Sequence, residues 1–213
     1  MKKLFLTSLL ISLAIVGICQ SDKYMAAMKK NIAAIDTSFG NPANMQSLAN
    51  TFERIANTEK TQWLPYYYAA YCQVNFGFLG KDKSKTDEFA DKATELINKA
   101  DSLQPNNSEV CCIKSMIASC HMMVNPMQRY MQYGQESSSN MDKAMKLDPT
   151  NPRPYLLKGQ GLKYTPEQFG GGCGTAKPEL QKALQKYASF KVTSEIHPDW
   201  GKSRTEQLLK ECN

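Results

Sequence analysis

The sequence predicts an all-α protein, a stack of about four helical hairpins with a period of about 44 residues. Three observations carry this. Helix-ending prolines recur in DSLQPNNSE (Pro105), MKLDPTNPR (Pro149) and EIHPDWGK (Pro198), the first two 44 residues apart and the third 49 further on. Small residues keep the same step as Ala49/Ala56, Ala93/Ala100 and Ser137/Ala144. No useful length of chain alternates apolar and polar residues with period two, so no sheet is expected.

Helix packing explains the pattern. Two antiparallel helices approach closely only where small residues face each other, and residues seven apart lie on one helix face. Proline then ends the second helix, because it disfavours a helical residue before it and has no N–H to donate. Asn and Asp beside it suit a tight turn and the cap of the next helix. In the last unit Ala188 continues the column, while Gln181 stands where a small residue is expected.

The elements follow in order. Lys2 and Lys3 precede the apolar stretch from Leu4 to Ile18, which is short for a membrane span and suits an export signal. Residues 1–19 are therefore expected to be a signal peptide cut between Cys19 and Gln20. A retained anchor helix, or a lipoprotein acylated at Cys19, is the alternative. Residues 20–213 form the helical domain. Helices are expected at 22–37 and 42–58, 63–78 and 85–102, 107–123 and 127–147, and 152–164 and 176–193. Phe76–Glu88 reads as a long polar loop. A capping helix at about 203–212 buries Leu208 and Leu209. After the leader, no stretch is long and apolar enough to cross a bilayer.

The small residues ten after each proline (Ser115, Gly159), those twelve and five before it, and the LDPTNP turn resemble the tetratricopeptide repeat (TPR) family. Tyr155 and Gly159 open such a repeat, and Ala144 and Pro149 close the one before. The resemblance covers about residues 22–198. HEAT and armadillo repeats have periods near 44 but lack the DPxNP join. The TPR resemblance implies a right-handed superhelix whose first helices line a concave groove that holds a peptide or protein.

Chemistry is sparse. The chain has two histidines, His121 and His197, and a formal net charge of +6. Basic residues are scattered, with no nucleic-acid footprint. Cys112 and Cys120 lack the close ligand spacing of a zinc site, so no metal and no cofactor is expected. FGGGCGTAKPEL (Phe169–Leu180) lacks the Gly-Lys-Ser/Thr ending of a phosphate loop. Cys173 with His197 has no orienting third residue. No enzyme is expected. Cys72, Cys111, Cys112 and Cys120 fall in apolar helices and suit packed thiols. Cys173 and Cys212 lie outside the core helices and are expected to pair, in an exported chain of the periplasm or cell envelope.

The leading functional expectation is a non-enzymatic scaffold or adaptor that binds a protein or peptide. The alternative is a small-ligand accessory protein or an envelope lipoprotein. Asn31, Asn75, Ser119 and Lys163 recur 44 apart, four residues after the small position of each first helix. They form a polar ladder suited to grip a peptide backbone. Tyr68, in the aromatic run Trp63–Tyr71, is the further candidate for partner contact.

Overall fold

Asparagine and proline set the helix starts. Asn41 accepts from Ala43 N at 3.0 Å ahead of Pro42, and Asn107 accepts from Glu109 N at 2.8 Å. Asn125 accepts from Gln128 N at 3.3 Å ahead of Pro126. These side chains satisfy N–H groups that the first turn leaves open, and proline suits that turn because its missing N–H costs nothing there. Asn106 turns the chain with a φ of 58°, a left-handed conformation that asparagine tolerates.

The structure is a computed structural model and describes residues 22–80 and 82–212. The expected signal peptide 1–19, with Cys19, lies outside the described residues. The helices are α1 (Asp22–Ala33), α2 (Ile35–Ser38), α3 (Pro42–Thr58), α4 (Trp63–Leu79), α5 (Thr86–Leu103), α6 (Ser108–Val124) and α7 (Pro126–Arg129). A π-helical turn, Tyr130–Gly134, leads into α8 (Gln135–Leu147). Then come α9 (Arg153–Tyr164), α10 (Cys173–Ser189) and α11 (Lys202–Glu211). No strand occurs among the described residues. Sequence neighbours pack in pairs, α3 on α4, α4 on α5, α5 on α6, α6 on α8 and α9 on α10, and α11 closes on α10.

The small-residue columns sit at these crossings. Ala49, Ala56, Ala93, Ala100, Ser137 and Ala144 are all buried. Gly159 has no room for a side chain: a Cβ there would stand 2.7 Å from Leu180 Cγ. One core gathers α1 to α6 around Phe52, Tyr67, Tyr68 and Ile113, and a second gathers α9 to α11 around Leu156, Leu180 and Leu208.

Several expectations need correction. The helix expected at 22–37 breaks at Ala34, where Thr37 and Ser38 side chains both donate to the Ala34 carbonyl. The loop expected at Phe76–Glu88 is shorter, since α4 runs to Leu79 and α5 starts at Thr86. The last hairpin slips its register. Its buried pair is Ala176/Ala183, and Ala188 is exposed. The helix expected at 176–193 starts at Cys173 and stops at Ser189. It stops because Phe190 turns out of the helix to lie 5.0 Å from the Arg153 guanidinium.

Cys173 and Cys212 are joined with an S–S length of 2.04 Å, tying the start of α10 to the chain just past α11. Cys72, Cys111, Cys112 and Cys120 are free and buried. Burial pushes the Cys120 thiol up to about 12, so it packs as a small apolar group and not as a thiolate.

Candidate functional site

The first helices of the hairpins present one face to a strap, the segment 190–200. Trp200 lies 4.9 Å from the Tyr71 ring and donates from Nε1 to Tyr67 Oη at 2.7 Å. Tyr68 Oη donates to Ile196 O at 3.0 Å. Tyr187 Oη donates to Trp200 O at 2.9 Å, and Arg153 donates to Pro198 O. Lys29 of α1 pairs with Glu195. The chain's own strap therefore covers the face that the TPR resemblance would assign to a bound peptide.

A polar ladder lies beneath the strap. Glu109 Oε1 accepts from Asn151 Nδ2 at 2.8 Å and from Arg153 Nη1 at 2.9 Å, and Glu109 Oε2 accepts from Tyr67 Oη at 3.2 Å. Asn151 also donates to Ser108 Oγ at 3.0 Å, and Ser108 donates to Ala144 O at 2.9 Å. Arg153 stands 5.0 Å from the Phe190 ring and 5.3 Å from the Trp200 ring. The Glu109 and Arg153 side chains are 4% and 0% exposed. Burial pushes the Glu109 carboxyl up, and the guanidinium with the Tyr67 and Asn151 donors pulls it back. Three donors satisfy the Glu109 carboxylate, so the network ties the hairpins to one another, while Arg153 Nε is buried without a hydrogen-bond partner among the described residues.

Exposed apolar side chains sit elsewhere, at the α9–α10 crossing (Tyr164 60%, Phe169 65%) and, with the largest exposure, at the turn of the third hairpin. Met127, Tyr130 and Met131 are 87%, 59% and 68% exposed. Met122 and Met123 flank them at the end of α6, half-buried. Gly134 lets the Tyr130 ring fold back along its own helix: a Cβ there would stand 3.0 Å from Tyr130 Cδ2. π-helical turns recur at functional sites, and clustered exposed methionines are adaptable contact surfaces. These exposed side chains make the turn the candidate interaction surface.

A second polar cluster backs this rim. Asp87 Oδ1 accepts from His121 Nδ1 at 2.8 Å and from Arg129 Nη1 at 2.6 Å. Arg129 Nη1 also donates to His121 O at 3.0 Å. The His121 and Tyr133 rings stack at 4.8 Å with planes 17° apart. The Arg129 hydrogen bond, with His121 beside it, holds the Asp87 carboxyl below its ordinary range.

The sequence-predicted residues fall as follows. Asn31 donates to Ala27 O at 2.8 Å, Asn75 to Tyr71 O at 2.7 Å and Ser119 to Ser115 O at 3.0 Å. Each thus bonds back to the carbonyl four residues earlier, at the small position of its own helix. Lys163 pairs with Glu211 of α11 at 2.6 Å. Tyr68 is core, 1% exposed, which corrects its expected place on a groove. Cys173, spent in the disulfide, is no nucleophile. The Gly-rich loop is the crossing from α9 to α10, with φ of 82° at Gly170 and 91° at Gly172.

Sequence reasoning missed both the buried ladder and the rim. The ladder was in the register: Glu109 and Arg153 are 44 apart, ten residues before Ser119 and Lys163 of the column chosen. The rim was hidden because Met127, Tyr130 and Met131 have the i, i+3, i+4 spacing of a core stripe.

Fold and rim define a class: an all-α stack of hairpins, closed by its own strap, with an exposed Met- and Tyr-rich turn. No protein-family model matches the chain, and no curated protein matches it. The TPR resemblance accordingly stands on the quoted residues alone. Among solved structures the chain is similar to the HusA haemophore from Porphyromonas gingivalis, at 38% sequence identity and a TM-score of 0.80. The match covers 92% of this chain and 95% of that chain. At this identity and coverage the chain belongs to the HusA haemophore family.

Proposed function

We propose that this chain is a non-enzymatic, exported carrier of a haem-type ligand, with haem as cargo held at the rim of the third hairpin. The observation that carries the site is the exposure of Met127, Tyr130 and Met131 on one distorted helical turn. A tetrapyrrole is flat and apolar on both faces, and thioether and phenol side chains offer a conforming surface for it. Burying these three side chains against the ring is the energetic return. Membership of a haemophore's family supports the choice of cargo. The Cys173–Cys212 disulfide supports export, since such bonds persist in oxidising compartments. No helix among the described residues is long and apolar enough to cross a membrane.

The small-ligand reading has more support than the peptide-scaffold reading. The strap occupies the face of the first helices, and Asn31, Asn75 and Ser119 already bond within their own helices. The test is a haem titration followed at the Soret band, with the wild type and with Met127, Tyr130 and Met131 all changed to Ser. Loss of three apolar contacts is expected to weaken binding about tenfold or more, with thermal stability retained. A wild type that does not bind haem overturns the cargo. A triple variant with wild-type affinity overturns the site.

A further inference from the structure

The geometry assigns Asp87 as the positioning residue of the rim, acting on the ligand surface without touching the ligand. The inference rests on the haem reading above.

Tyr130 and Met131 are bracketed in sequence by Arg129 and Tyr133. Both brackets trace to one oxygen. Arg129 Nη1 donates to Asp87 Oδ1 at 2.6 Å. Tyr133 stacks at 4.8 Å on His121, whose Nδ1 is 2.8 Å from the same oxygen. A carboxylate only accepts, so the His121 proton sits on Nδ1, and the bond fixes the plane of the ring on which Tyr133 lies. Arg129 closes the arrangement by donating to His121 O at 3.0 Å.

Among the described residues, every side-chain hydrogen bond from 126–134 to α5 or α6 is made by Arg129. The side-chain hydrogen bonds from the turn to these helices therefore all run through Arg129, and Asp87 is the side chain that holds Arg129. Asp87 itself sits in the first turn of α5, where the helix dipole favours a carboxylate. Asp91 stands at the other ring nitrogen, 3.6 Å from His121 Nε2 and beyond hydrogen-bond distance, and does not supply the oxygen that joins His121 to Arg129. The Asp87 and Arg129 side chains are 36% and 30% exposed, so this pair contributes little to global stability. Its effect is to hold two ends of a short turn in register, which preorganises the surface for its ligand.

The test compares Asp87→Asn with Asp91→Asn in the full chain. In Asp87→Asn, backbone hydrogen exchange is expected to rise across 126–134. The His121 ring-proton resonances are expected to lose the shift imposed by the Tyr133 ring current. Haem affinity is expected to fall about tenfold, as for one lost ordering contact. The thermal midpoint stays near the wild-type value, and Asp91→Asn behaves as wild type in hydrogen exchange, haem affinity and thermal midpoint. Unchanged exchange and unchanged His121 resonances in Asp87→Asn overturn the inference, whether or not haem binds. So does loosening of the turn with affinity intact. An equal effect in Asp91→Asn also overturns it, because the cause would then be general charge. A wild type that ignores haem overturns the cargo assignment and the affinity limb together.

Discussion

The chain uses the same chemical pair twice, at two depths. Arg153 and Glu109 meet at 2.9 Å beneath the strap, with side chains 0% and 4% exposed. Arg129 and Asp87 meet at 2.6 Å on the rim, with side chains 30% and 36% exposed. Under the strap both side chains are buried and the charges meet only protein groups, so loss of one member strands a charge. On the rim, water substitutes for a lost partner, and the pair governs local geometry instead. Depth, not chemistry, separates a stabilising contact from a positioning one.

The largest expected effect breaks the deep pair. Glu109→Gln leaves the Arg153 guanidinium buried without its counter-charge and is expected to cost about 3–5 kcal/mol in denaturant unfolding. Arg129→Gln is expected to leave the unfolding midpoint nearly unchanged. Equal losses from the two variants would abolish the distinction.

Next comes the tether of the strap. The Cys173–Cys212 bond spans 39 residues that include the strap. Replacing both cysteines by Ser is expected to cost about 3–4 kcal/mol on the chain-entropy estimate. The check is a thermal melt of the double variant beside the wild type with and without reductant. Reductant should lower the wild-type midpoint and leave the variant's unmoved.

The smallest effect is a titration. Burial holds the His197 pKa below its ordinary value, and the nearby Arg153 charge acts in the same direction. The unfolded chain therefore binds the proton first, near pH 6.5. The stability that His197 contributes is complete above that value and is lost as pH falls through the lower folded value. The midpoint should drop between pH 7.5 and pH 5. His197→Gln should flatten the part of that drop due to the strap. A drop of the same size in the variant would place its origin elsewhere.

Much of the fold was legible because its signals are local. Asn41-Pro42, Asn107 and Asn125-Pro126 spell helix starts, and alanines seven apart spell close crossings. The strap was not legible. Phe190 and Val192 extend the apolar pattern of the helix, and the distant Arg153, whose guanidinium Phe190 meets, lies in no local window. The rim was not legible because an exposed stripe and a core stripe share one spacing. What separates them is whether a neighbouring helix covers the stripe, which no local window contains. The buried pair escaped because Glu109 and Arg153 look like ordinary surface charges until two hairpins are stacked.

A stack of hairpins is close to one-dimensional, and each unit feels only its neighbours. Such an array can fray from one end while the other stays intact. The strap adds shortcuts. Tyr68 meets Ile196 across 128 residues of sequence, and Tyr67 meets Trp200 across 133. Lys29 in the first hairpin meets Glu195. Opening the first hairpin therefore disturbs the strap, and the strap holds the last hairpin through Arg153. The array is therefore expected to melt as a ring and not as a zipper, in one cooperative step. These long-range closures also make its assembly slower than that of a helical stack joined only by local contacts.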